Sequence, residues 1–249
     1  MTIRHGKNVV VYFNGYDIGG DVNAISGKSE NDLVTYAVFD GSNGYHHYPG
    51  LAKDEIGLEA LHNDDSVTYL TATAQLEALR QVTPTVLTPG YQAMVLYGQT
   101  AGDPASVSKE CLLKSYTIKS VVTDVNRLSA MLVSNDMPFQ DSKVLLGKAT
   151  KTTSGSGTAL DNLASSSNGG VGYVQVLSCL YGTSAALIIE HSTDNSNWGA
   201  LLTLGTFTTV GTACVACTGT VDEYIRATWT LSAGSPSNSA TFAITFKRY

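Results

Sequence analysis

The sequence predicts a mainly β fold in two parts, and three observations predict it. Near the C-terminus, Ile225, Ala227, Trp229 and Leu231 alternate with Arg226, Thr228 and Thr230. Ala240, Phe242, Ile244 and Phe246 likewise alternate with Thr241, Ala243, Thr245 and Lys247, again the period of a strand. Helical period is confined to one short stretch, 71–82. Finally, only 14% of residues are charged, against a usual share of ~25%. Gly, Ser and Thr take their place, as in many β-rich structural proteins.

The elements follow in order. In the first part, strands are expected over 8–13, 33–39, 55–61, 92–98, 111–122 and 127–134. Between them, Ala72, Leu76, Leu79 and Val82 recur at helical spacing, separated by Gln75, Glu77 and Arg80. Pro84 and Pro89 stop that helix. The expectation is a β-sandwich or barrel with one short helix over 71–82. From Thr150 to Gly170, 15 of 21 positions are Ser, Thr, Gly or Asn, the composition of a flexible connector, interrupted by Ala159–Leu163. That places a boundary at 147–150 and divides the chain into 1–149 and 150–249. In the second part, strands over 171–180, 184–191, 200–208 and 212–218 join the two alternating ones near the C-terminus. They predict an antiparallel β-sandwich, Ig-like or jelly-roll-like, with one apolar and one wet face per sheet. Each part is expected to fold by itself.

The 249 residues contain no apolar run near the ~18 residues of a membrane-spanning helix. Residues 1–13 lack the h-region and cleavage site of a signal peptide. No membrane partner and no signal-directed secretion are expected. The formal net charge of −6 falls entirely on residues 1–147, which hold 10 Lys+Arg and 16 Asp+Glu; the remainder holds 5 and 5. An acidic surface disfavours wrapping nucleic acid, because phosphate binding needs Lys and Arg. It is compatible with a surface past which DNA slides.

No motif demands catalysis or a cofactor. Cys214-Val215-Ala216-Cys217 lies in a Thr- and Val-rich strand context, without the helix N-terminus of a redox site or the four ligands of a zinc site. These cysteines read as small apolar strand residues. His46 and His47 are adjacent in an aromatic, Gly- and Pro-rich segment, Asp40–Gly50. It reads as a contact loop, since strand neighbours point to opposite faces and cannot share a metal. Ser154–Gly157 lacks the Lys-Ser/Thr of a P-loop. Asp54-Glu55 and Asp64-Asp65 could hold a cation, but neither has calcium-loop spacing, so both read as solvated acidic faces. No Ser-His-Asp or Cys-His set stands out, and no catalytic or metal residue is assigned.

The order of elements resembles the tail tube (major tail) proteins of long-tailed bacteriophages. Val22–Glu30 followed by Leu33–Asp40 is similar to that family's opening strand and its continuation. Tyr48-Pro49-Gly50-Leu51 leading into Glu55–Leu61 is similar to its aromatic-Pro-Gly-Leu step. The helix at 71–82 falls where the family has its flanking helix, and Cys111–Ser120 with Arg127–Ser134 looks like its closing hairpin. The resemblance covers roughly residues 8 to 140. The second part resembles β-sandwich modules appended to phage structural proteins. Its His191–Trp198 and Tyr224–Trp229 segments look faintly like a discoidin-type carbohydrate-binding fold. The Asx residues of Asp194–Asn197 account for that turn unaided, with Trp198 expected to return and cap the core.

The resemblance implies a virion structural protein of the tail, present in the host cytoplasm during assembly. Its copies would form stacked hexameric rings around a DNA-conducting lumen, in contact with other tail proteins and without specific DNA binding. It implies inter-subunit contact at Asp40, Tyr45, His46, His47, Tyr48 and Pro49, and lumen acids at Glu30, Asp32 and Asp124. Alternatives are a head decoration or head–tail connector protein, or an adhesin that binds host surface glycans through the second part.

Overall fold

The computed structural model describes residues 9–20, 22–37, 45–62, 91–120, 125–135, 137–232 and 238–249, with backbone alone at 31–37 and 45–52. These residues form β-strands and no helix, and every strand pairing is antiparallel. The helix expected over 71–82 lies outside the described residues.

The strands, in chain order, are β1 (Val10–Phe13), β2 (Tyr16–Asp17), β3 (Val22–Ala37), β4 (Tyr45–Leu61), β5 (Tyr91–Leu96), β6 (Pro104–Lys119), β7 (Arg127–Ser134) and β8 (Gln140–Lys151). They continue with β9 (Gly155–Ser156), β10 (Leu160–Asp161), β11 (Gly170–Leu180), β12 (Ala185–Ser192), β13 (Gly199–Phe207), β14 (Gly211–Cys217), β15 (Tyr224–Leu231) and β16 (Ser239–Arg248). One sheet runs β14-β11-β16-β8-β6-β5-β1-β2, and β7, β4 and β3 extend it from β6. A second sheet holds β10, β15, β12 and β13, with β9 on β15.

Three apolar cores fix this arrangement. In the first, Leu145, Val174, Val176, Phe242, Ile244 and Phe246 of the large sheet meet Leu187, Ile189, Leu204, Ile225 and Trp229 of the small one. Trp229 and Phe242 pack edge-on, their ring centroids 5.9 Å apart. This is the antiparallel sandwich expected of the second part. In the second core the large sheet curls on itself, bringing Tyr12, Met94, Leu96 and Val107 against Val144, Val171, Tyr173 and Ala243. In the third, Val11, Phe13, Ala93 and Val95 meet Ile56, Leu58, Ala60, Leu128, Ala130 and Leu132. Strands β1, β5, β11 and β16 thus each serve two cores. Odd and even residues point into different cores, which is why these strands are apolar in near-continuous runs.

That sharing corrects the wet face expected on β16: Ala243 and Thr245 are fully buried. The expected wet face persists on β15, where Thr230 is exposed and Arg226 and Thr228 half-buried.

The boundary expected at 147–150 falls inside β8, which pairs with β6 on one side and β16 on the other. A Cβ on Gly147 would stand 2.3 Å from the Gln99 carbonyl oxygen, so this glycine permits close packing where a domain boundary was expected. The Ser- and Gly-rich stretch after it is hydrogen-bonded onto β15 and the turn before it. The Trp229 indole N–H donates to the Thr153 carbonyl at 2.8 Å, the Leu231 N–H to Ser154 Oγ at 2.9 Å, and the Gly157 N–H to the Ala227 carbonyl at 2.8 Å. Small polar residues here supply edge hydrogen bonds in place of flexibility. A buried amide clasp adds a further tie between the two parts. The Gly15 N–H donates to Gln175 Oε1 at 2.5 Å, Gln175 Nε2 to Gln92 Oε1 at 2.9 Å, and Gln92 Nε2 to the Ala213 carbonyl at 3.0 Å.

Candidate functional site

The candidate contact surface is the hairpin β3–β4 with the strands that support it. Its arms are 16 and 17 residues long, with Val22 opposite Ala60 and Ala37 opposite Tyr45. Among the described residues, β7 backs β4 only over Glu55–Leu61. Beyond Asp54 and its partner Ser29 the hairpin therefore runs on as a two-stranded ribbon. At ~3.3 Å per residue that overhang is on the order of 30 Å.

Asp40 lies outside the described residues. Tyr45, His46, His47, Tyr48 and Pro49, expected in a loop, lie in β4, paired with Ala37, Tyr36, Thr35, Val34 and Leu33. Their β-branched and aromatic partners favour a ladder over a loop. The register shifts between Asn31↔Ala52 and Leu33↔Pro49, so Gly50 and Leu51 oppose the single residue Asp32. Gly50-Leu51 is thus a β-bulge with Pro49 at its flank, the place where a strand tolerates proline.

At the supported end, β6, β7, β4 and β3 form four consecutive antiparallel strands. Their inner face carries the third core. Their outer face carries rows of paired residues: Lys119–Arg127–Leu61, Thr117–Ser129–Glu59, and Val133–Glu55–Lys28. Lys114 bonds Glu55, and Lys28 pairs with Glu30 at 2.5 Å. The Lys114 ammonium holds the Glu55 carboxyl below its ordinary range, and Glu30 raises the Lys28 ammonium above its own. Glu30 is exposed on this face, Asp32 sits at the bulge, and Asp124 lies outside the described residues. The two signs of charge are interleaved across the face.

Both edges of this four-stranded unit are open among the described residues. β3 pairs only with β4, and β6 beyond Cys111 pairs only with β7. Sequence reasoning missed these edges, because pairing partners leave no local signal in composition or period.

The other singled-out residues lie elsewhere. Cys214 packs beside the second core and Cys217 beside the first, on opposite faces of β14. All four cysteines are free, and burial pushes the Cys111 thiol up to about 12. Asp194 Oδ1 accepts from the Ser196 and Asn197 backbone N–H groups at 2.9 and 2.8 Å and from Ser192 Oγ at 2.9 Å, closing the turn. Trp198 lies outside the core it was expected to cap. Its ring is covered by Arg226 at 4.0 Å, and Glu190 holds that guanidinium at 2.8 Å. Trp229 fills the core instead. Asp54, expected on a solvated face, is 6% exposed. Its strand turns that side chain inward beneath the root of the hairpin.

No family model and no curated protein matches this chain. Among solved structures it is similar to a chain from the virion of a native gene transfer agent particle, at TM-score 0.39 and 12% identity, over 55% of this chain and 99% of that one. A chain from the tail of an empty gene transfer agent particle with C6 symmetry gives TM-score 0.37 and 14% identity, over 55% and 99%. The SPP1 Dit (gp 19.1) protein, a hub of the adsorption apparatus of phages infecting Gram-positive hosts, gives 0.32 and 11%, over 96% and 99%. TM-scores this low do not fix a fold family.

Proposed function

We propose that the protein is a structural subunit of a phage tail, joining copies edge to edge into rings. The observation that supports this reading is the four-stranded unit β6-β7-β4-β3. Its strands alternate in direction, so its outer strands run opposite ways. The β3 edge of one copy then meets the β6 edge of the next in antiparallel register, and head-to-tail closure removes both open edges. Six copies would place the interleaved outer face around a lumen. A surface mixing Lys28, Lys114 and Arg127 with Glu30, Glu55 and Glu59 has a field that cancels within a few ångströms, so a DNA backbone passes without binding. Glu30, Asp32 and Asp124 remain the proposed lumen acids, and the ribbon of residues 45–49 would reach the adjacent ring or subunit. Other tail proteins would meet the ends of the tube.

Two edge-blocked variants test this, Ser26→Pro in β3 and Thr117→Pro in β6, each checked for a native circular dichroism spectrum. At high concentration the parent chain should form rings or tubes under negative stain. Each variant alone should not, and a mixture should stop at the heterodimer joined by the two intact edges. Rings from either variant alone would reject the edge pairing. A parent chain that stays monomeric at millimolar concentration would reject the ring.

A further inference from the structure

The chain carries three Asn-Gly pairs, beginning at Asn14, Asn43 and Asn168. Asn43 lies outside the described residues, and in the other two pairs the glycine N–H is held. Asn14 (φ 49°) and Gly15 (φ 83°) are the left-handed pair of a two-residue hairpin turn, closed by Phe13 opposite Tyr16. Gly15 is buried, and its N–H donates to Gln175 Oε1 at 2.5 Å. The Asn14 N–H donates to the Gln92 carbonyl at 2.9 Å. The space beside the turn is filled, since a Cβ on Gly15 would stand 2.5 Å from Val210 and 3.0 Å from the Val176 carbonyl oxygen. At the other pair the Gly169 N–H donates to the Gly219 carbonyl at 2.8 Å, and neither glycine belongs to the amide clasp.

We propose that Asn14 is a deamidation site that the amide clasp keeps closed, so that the modification marks chains in which the curled sheet has opened. Asn-Gly is the pair most prone to this chemistry, because glycine has no Cβ to hinder attack. Base removes the Gly15 amide proton, and the Gly15 nitrogen bonds to the Asn14 side-chain carbonyl carbon. The Asn14 Nδ2 leaves as ammonia after taking a proton from water. A second water then opens the cyclic imide at either carbonyl, giving aspartate or isoaspartate at position 14. Ring closure needs the Gly15 nitrogen, and in the closed clasp its proton lies in a buried hydrogen bond and its backbone is fixed. Refolding does not reverse the change. Isoaspartate inserts a methylene into the main chain of a two-residue turn, which would then no longer fit between Gln92 and Gln175. This rests on the clasp and not on ring formation by subunits, so it stands or falls separately.

The test incubates the full chain in mildly alkaline buffer made with heavy-oxygen water and reads Asn14 and Asn168 by peptide mass spectrometry. In the folded parent, Asn14 should deamidate at least ~100-fold more slowly than in urea, following the small open fraction of a local equilibrium. Gln175→Leu should speed Asn14 roughly tenfold, the worth of one hydrogen bond, and leave Asn168 at the parent rate. Phe242→Leu, in the first core, should lower the Tm without separating the two sites. Should Gln175→Leu not fold, hydrogen exchange of the Gly15 N–H in the parent chain decides the matter. Across low urea concentrations the Asn14 deamidation rate should rise in proportion to that exchange rate. Three results would overturn the proposal: deamidation of Asn14 as fast in the folded parent as in urea, no gain in folded Gln175→Leu, or equal gains there at Asn14 and Asn168. A deamidation rate that does not follow Gly15 exchange would also overturn it.

Discussion

β11 and β3 belong to one sheet, yet they are held by different forces. In β11, residues 170–176 are all buried, and the strand is clamped between the first and second cores. In β3, residues 23–30 are exposed apart from a half-buried Ile25, and the strand depends on its ladder to β4 and on cross-strand charge. At ~25 cal/mol per Å² of apolar area removed from water, a strand like β11 is stabilised many times over what exposed ion pairs give β3. One end of the molecule is therefore finished by folding. The other keeps, among the described residues, two strand edges and a two-stranded ribbon without a further pairing strand.

The largest effect should come from cutting between these regions. A chain ending at Gly147 loses β16, the ladder partner of β8, and removes Val171, Tyr173 and Ala243 from the second core. The piece 150–249 keeps the sandwich but loses most of β8, including Leu145. The expected outcome is that neither piece melts cooperatively alone, and that mixing them restores a single transition. Circular dichroism melts of each piece and of the mixture check this. Two independent cooperative melts would establish domains 1–149 and 150–249 as separate folding units.

A smaller effect should follow from opening the amide clasp. Gln175→Leu keeps the volume in the second part but strands the Gly15 N–H and the Gln92 amide in the interior. Two unsatisfied buried groups cost about 2–4 kcal/mol, a Tm drop on the order of 10 °C for a chain of this size. Denaturant unfolding at unchanged m-value would show it as lost stability, not altered compactness. A drop below ~0.5 kcal/mol would mean that the curled sheet closes on apolar packing alone.

The sequence announces the buried region more clearly than the open one. Alternation at Ile225–Leu231 located β15 within a residue, since one face is wet and the period is visible. Strand β16 was found but misread, because Ala243 and Thr245 meet a second core that no local pattern reveals. The stretch 150–170 has the composition of a linker, yet its hydroxyls and backbone are fastened to β15, and composition does not record hydrogen-bond partners. Tyr45–Pro49 reads as a loop because of its Gly and Pro content, whereas Gly50-Leu51 makes a bulge inside a strand. The candidate contact region is marked most of all by two edges left open among the described residues, and that is a property of the assembled sheet.

The smallest effect should come from the charge at the supported end of the hairpin. Lys114 holds the Glu55 carboxyl below its ordinary value, so the folded-state value lies under the unfolded one of about 4.3. The stabilisation is then present above the unfolded value and is lost as pH falls through the folded one. Glu55→Gln should leave the global Tm nearly unchanged, because exposed pairs add little. It should quicken hydrogen exchange of the β3 and β4 amides near Lys28 and Glu55 at neutral pH, with no such difference in acid or in high salt. Nuclear magnetic resonance titration should place the Glu55 carboxyl below an ordinary glutamate, and Lys114→Ala should return it upward. An equal exchange rate in the two chains at neutral pH would show that hydrogen bonding alone holds the supported end of the ribbon. Exchange slowed equally across β3 and β11 by the charge would erase the contrast between the two strands.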